Sequence, residues 1–266
     1  MLRILGGLAL ASALAAQTGG LDEGYRDLYN LEFEPAHHVF QEWERAHPAD
    51  PLGPVSDAAA WLFAEMDRLH ILEAEFFATD RRFLDRTMPP PDPAVKRRFE
   101  EALERGRAAA QAALRRNPND DDAIFATILR LGLHADYLAL IEKRYLPSLS
   151  EMKAARELAA SLLARRPDYA DAALAIGVEN YLLSLRPAPL RWMLRLGGAQ
   201  TDQAEGVARL RVTAAGGRYL RPYAQLLLAV AAIRGHDPAR ARELLSGLTR
   251  EFPRNPLYPQ ELARLQ

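Results

Sequence analysis

From Leu21 to Leu265 the apolar residues recur with the 3.6-residue period of an amphipathic helix. No stretch alternates apolar with polar residues as a half-buried strand would. This predicts an almost entirely helical chain, with helices over roughly 21–33, 35–47, 56–79, 93–116, 121–143, 149–165, 169–184, 189–195, 202–215, 220–234, 238–251 and 256–265. Local start signals support the pattern. Asp92-Pro93 and Asp237-Pro238 each set an N-cap acceptor before a proline at the first helical position, where the missing N–H costs nothing. Ser148-Leu149-Ser150-Glu151 fits a capping box, and Asp120, Asp121 and Asp122 put negative charge at a positive helix end. The chain has no cysteine, which rules out a disulfide framework, a thiol nucleophile and a cysteine-ligated metal.

The first 16 residues read as an export signal. Arg3 gives the positive start, Ile4 to Leu14 the short apolar run, and Ala13-Leu14-Ala15 the cleavage site. The run stops at Gln17-Thr18-Gly19-Gly20, well short of the about 20 apolar residues a membrane span needs. The expectation is an exported product, periplasmic or secreted, with no stable span after cleavage. Residues 17–79 form an acidic N-terminal helical layer and residues 93–266 a repeat domain. Residues 80–92 link them, with Pro89, Pro90 and Pro91 as an extended strap, because proline disfavours helix in itself and in the residue before it.

Four segments close alike: Ala36…Phe40…Pro48, Gly106…Ala110…Pro118, Ala155…Ala159…Pro167 and Ala241…Leu245…Pro253. In each, a small residue stands twelve positions before the proline and an apolar one eight before it. Those offsets resemble the second helix of a tetratricopeptide repeat: the small residue admits a neighbouring helix, the apolar one fills the groove, and the proline turns the chain. The prolines lie 70, 49 and 86 residues apart, whereas such arrays repeat at about 34, so the repeats are degenerate and carry insertions. The fold expected is an all-α, right-handed α-solenoid of antiparallel helix pairs.

The C-terminal third carries a further resemblance. Gly177-Val178-Glu179-Asn180-Tyr181, Arg186-Pro187-Ala188-Pro189-Leu190-Arg191, Gly197-Gly198, Leu220-Arg221-Pro222 and Phe252-Pro253-Arg254-Asn255-Pro256 follow one another in an order similar to the tetratricopeptide-repeat-39 type proteins and to exported bacterial repeat proteins. That family often has Gly-Asp-Arg where this chain has Thr201-Asp202-Gln203, so no role passes to an arginine there. The resemblance implies a non-enzymatic interaction scaffold with no catalytic residues to transfer.

Three acid-x-x-His pairs, Glu34…His37, Glu44…His47 and Asp67…His70, are the best case for chemistry, because such pairs on one helix face ligate di-metal carboxylate sites. A capping or surface role is the favoured reading, and no metal or other cofactor is expected. No HExxH, P-loop, GxSxG, Rossmann or EF-hand pattern occurs. Net charge is −1, without the basic excess that nucleic-acid binding needs. Its distribution says more: residues 21–79 hold 13 acidic and three basic side chains, residues 80–266 hold 22 and 30. Such halves attract, within one molecule or between copies in self-association.

A protein or peptide partner is the expected ligand. Residues 186–221 hold seven arginines; Arg186, Arg191 and Arg195 surround Trp192, a composition typical of binding hot spots. The first helix of each pair would line a groove with Asp122, Phe125 and Leu129, then Asp171, Leu174 and Val178, then Tyr223, Leu226 and Val230. Glu179, Asn180 and Tyr181 are its candidate polar readers of a peptide backbone. The groove is either open to a hydrophobic segment or filled by the protein's own additional helices. The alternatives are a di-metal helical enzyme and a carrier of a small hydrophobic ligand.

Overall fold

The computed structural model describes residues 20–72 and 89–265; residues 1–16, expected to be an export signal, and residues 80–88 of the linker lie outside them. Among the described residues there are twelve α-helices and no strand, as the periodicity predicts. They are α1 (Gly20–Tyr29), α2 (Phe33–Ala46), α3 (Leu52–Arg68), α4 (Pro93–Arg116), α5 (Asp121–Asp136), α6 (Tyr145–Arg165), α7 (Ala173–Ser184), α8 (Ala188–Leu196), α9 (Gln203–Gly216), α10 (Arg221–Arg234), α11 (Pro238–Glu251) and α12 (Leu257–Arg264). Neighbours in sequence pack as neighbours in space, except that α7 packs on α9 and leaves α8 aside.

The four proline turns are one structure made four times. Each proline sits two residues past the end of α2, α4, α6 or α11. The residue before it donates back into the last helical turn: His47 to Trp43, Asn117 to Ala113, Arg166 to Leu162, Phe252 to Leu248. Two residues past the proline, the N–H of Asp50, Asp120, Tyr169 or Asn255 closes the turn on that same residue's carbonyl. The small and apolar residues twelve and eight positions upstream are buried in all four.

Caps follow the local chemistry. The Asp92 carboxylate accepts from the N–H of Ala94 and Val95, Asp120 from Ala123, Asp202 from Ala204 and Glu205, and Asp237 from Arg240. The capping box at Ser148 does not form. α6 begins three residues earlier at Tyr145, because Pro147 is tolerated in a first turn whose N–H groups need no helical partner, and Ser148 is buried. The helix expected over 56–79 stops at Arg68; His70 turns into the left-handed region at φ 55° and donates to the Asp67 carbonyl. The helix expected over 121–143 changes character after Asp136, where Tyr137–Ile141 form a π-turn. Half of the apolar window in 121–141 is buried, so a run long and apolar enough to cross a membrane serves here as a core helix.

The linker does not separate two cores: residues of the N-terminal layer and the repeat region share one apolar cluster. The strap is pinned where Arg68 donates to the Pro90 carbonyl and the Asp92 N–H donates to the Glu65 carboxylate, 2.8 Å away. α1 reaches across to the far end of the chain. Tyr25 stacks on Tyr219 with centroids 4.8 Å apart, Tyr29 Oη donates to the Tyr219 carbonyl, and Asn255 Nδ2 donates to the Tyr29 carbonyl. Around this contact Arg218 pairs with Asp22 and Arg254 with Glu32, each at 2.7 Å, and between α4 and α2 Arg105 pairs with Glu44 at 2.8 Å. The acidic layer therefore meets the basic half inside one molecule.

α7 and α9 approach closely because Gly177 and Gly206 face each other's helix. A Cβ on Gly206 would lie 2.6 Å from the Tyr181 backbone nitrogen, which cannot yield as a side chain can. Gly206→Ala should therefore lose about 1–3 kcal/mol in urea unfolding, although alanine is the better helix former. A gain would mean the two helices can separate at no cost.

Candidate functional site

Two features bear on function: an exposed helix and a largely apolar cavity. α8 has no buried residue. Trp192, Met193 and Leu196 are 64%, 63% and 70% exposed. The arginines around Trp192 do different work from one another. Arg186 is exposed, Arg191 Nη1 donates to the carbonyls of Ser184 and Arg186, and Arg195 Nε donates to Thr201 Oγ1 at 2.5 Å. Lys153 on α6 donates to the Gly197 carbonyl. Arg191 and Arg195 thus anchor the entry and exit of α8 and leave its apolar side in solvent.

The candidate peptide readers are turned inward. Glu179, Asn180 and Tyr181 are at most 2% exposed. Glu179 accepts from the Gln200 N–H and pairs with Arg156 at 2.9 Å, and Asn180 Oδ1 accepts from the Asp202 N–H. They fix the segment between α8 and α9, so no ligand backbone reaches them. Burial pushes the Glu179 carboxyl up, against the lowering effect of the Gln200 N–H and Arg156. Phe125 is fully buried against Tyr169 and Tyr219. Asp122 is exposed and accepts from Tyr169 Oη.

The groove expected along α5, α7 and α10 is filled. α1 and α3 lie over it, placing Tyr25, Leu28, Tyr29, Ala59 and Phe63 against Leu129, Leu174, Val178 and Tyr223. The filling is incomplete and leaves a cavity of about 100 Å3 with predominantly apolar walls. A second void of about 30 Å3, reaching Leu226 and Tyr258, shares Leu28, Tyr29, Phe63 and Tyr223 with it as walls. Two carboxylates reach the larger cavity. Asp171 accepts three backbone N–H groups, from Arg218, Tyr219 and Leu220. Asp136 has no hydrogen-bond or ion-pair partner among the described residues, and burial alone pushes its carboxyl up to about 7.

Asp136, Gly132 and the two α1 tyrosines were not singled out from sequence. The one signal was a lone acid in a strongly apolar helical run.

The acid-x-x-His pairs do not assemble. His37 is buried and bonds Asp57 of α3 at 2.6 Å while Glu34 is exposed; Glu44 pairs with Arg105, and His47 lies on Trp43. Among the described residues no three His, Asp or Glu side chains converge as a metal site would require. No family model matches the chain, and no curated protein matches it.

Proposed function

We propose that this chain is an exported, non-enzymatic scaffold of degenerate tetratricopeptide type, which holds a protein or peptide partner on α8. The observation that carries this reading is the exposed side of α8. A tryptophan, a methionine and a leucine project from a helix whose ends are tied down, so docking there orders little that is not already ordered. The four equivalent proline turns support the repeat identity. The filled groove moves the partner surface away from Glu179, Asn180 and Tyr181 to Trp192 and its neighbours.

The structure also selects the variant that tests it. Arg191→Ala would free the entry of α8 and mix folding with binding. Trp192→Ala with Leu196→Ala removes only exposed surface. The double variant should melt at the parent temperature and bind the partner at least about thirtyfold more weakly. A photo-crosslinker at position 192 in the native cell identifies that partner, and affinities are then measured on the purified pair. Undiminished affinity in the double variant, or no adduct at position 192, would remove α8 as the surface.

A further inference from the structure

The cavity beneath α1 carries an inference independent of α8. Its polar groups are nearly all engaged: Tyr25 Oη accepts from Ser56, Tyr29 Oη donates to Tyr219, and Asp171 holds three N–H groups. Among the described residues of the lining, the half-buried Asp136 alone stands without a partner, beside apolar walls.

A carboxylate in such a place destabilises the fold, and groups of this kind concentrate where a protein binds or reacts. One turn earlier on the same face of α5 stands Gly132, inside the helix. A Cβ added there would meet nothing within 4 Å. Glycine weakens a helix interior by about 1 kcal/mol, and here no close approach requires it; what it does is keep the cavity open beside Asp136. Directly after Asp136 the helix widens into the π-turn Tyr137–Ile141, a distortion that recurs at ligand sites. Carboxylate, space and distortion meet at one point.

We propose that this cavity binds a small amine with a compact apolar tail, its ammonium group against Asp136 and its tail beside Gly132 and the aromatic walls. Among the described residues the lining contains no lysine, arginine or histidine, so the negative charge selects a cationic head and repels an anionic one. A neutral hydrocarbon would fill the space and leave the carboxylate as it is. The volume, somewhat below that of cavities known to take benzene, limits the tail to about four to six carbons.

The test uses calorimetric titration of the full chain at pH 8 with n-pentylamine, and with 1-pentanol as its uncharged counterpart. The amine should bind at least about tenfold more tightly than the alcohol, the usual worth of a hydrogen bond to a charged group. Asp136→Asn should abolish that preference. Gly132→Leu should fold at least as well as the parent and bind neither probe. Equal binding of amine and alcohol by the parent, retained preference in Asp136→Asn, or no binding of the amine by the parent would each overturn the proposal. Asp136→Asn removes an unfavourable half-buried charge and is expected to fold, so lost binding there reports on the site.

Discussion

At pH 8 the Asp136→Asn variant should be more stable than the parent by about 2–4 kcal/mol, and at pH 4.5 the two should differ little. The cause is the apolar cavity wall. Burial alone raises the Asp136 carboxyl from its ordinary 3.8 to about 7. Each unit of displacement is worth about 1.4 kcal/mol, so ionising it in the folded protein costs at most about 4 kcal/mol, less where the cavity admits water. Between pH 4 and 7 the folded chain holds a proton the unfolded chain has released, and stability falls as pH rises through that window. Above 7 the full cost is present, and asparagine, neutral and of the same shape, escapes it.

Other titrating groups do not imitate the effect. Burial holds Tyr25 and Tyr29 above their ordinary values, so they stay neutral throughout, while Asp171 is common to both proteins and cancels. Urea unfolding at the two pH values measures the difference. Equal stability at pH 8 would mean that Asp136 is solvated or paired.

The difference between what sequence could and could not tell follows from range. The helix starts at Asp92, Asp120 and Asp237 and the four proline turns were legible, because a cap or a turn is settled within about four residues. The inward turn of Glu179, Asn180 and Tyr181 was not. α7 is buried on more than one side, so its periodicity marks no polar face, and the groups that satisfy Glu179 and Asn180 lie 21 and 22 residues further along the chain. The filled groove depended on pairing residues 25 and 29 with residue 219, which no local pattern encodes. Charge did anticipate that closure: an acidic layer and a basic half had to meet somewhere, and Asp22–Arg218 and Glu32–Arg254 are where they do. For Asp136, the sequence shows an acid in an apolar helix, and only the packed structure shows that no described residue answers it.

Asp171→Ala should be the most damaging single substitution among these residues, costing about 3–5 kcal/mol. Asp171 is 6% exposed. Its Oδ2 accepts from Arg218 and Tyr219 at 2.9 and 3.3 Å, and its Oδ1 from Leu220 at 2.9 Å. Three consecutive N–H groups of the turn between α9 and α10 thus converge on one side chain. Alanine leaves them without an acceptor, at about 1–3 kcal/mol for each that water cannot reach. Part of the loss is offset, since burial pushes the Asp171 carboxyl up even though the three donors pull it down. The donors still outweigh that gain, because there are three of them and only one carboxylate to desolvate.

The same turn carries Arg218 to Asp22 and the Tyr219 carbonyl to Tyr29, so loosening it should also release α1. Amide exchange at Tyr25, Leu28 and Tyr29 should accelerate in Asp171→Ala under conditions where α11 stays protected. Asp171→Asn, which keeps one acceptor oxygen, should fall between parent and alanine. Tyr29→Phe should cost about 1 kcal/mol in the parent and clearly less beside Asp171→Ala, because the two act through one turn. Strict additivity of those two substitutions would show that the turn holds its shape without Asp171 and that α1 docks independently of it.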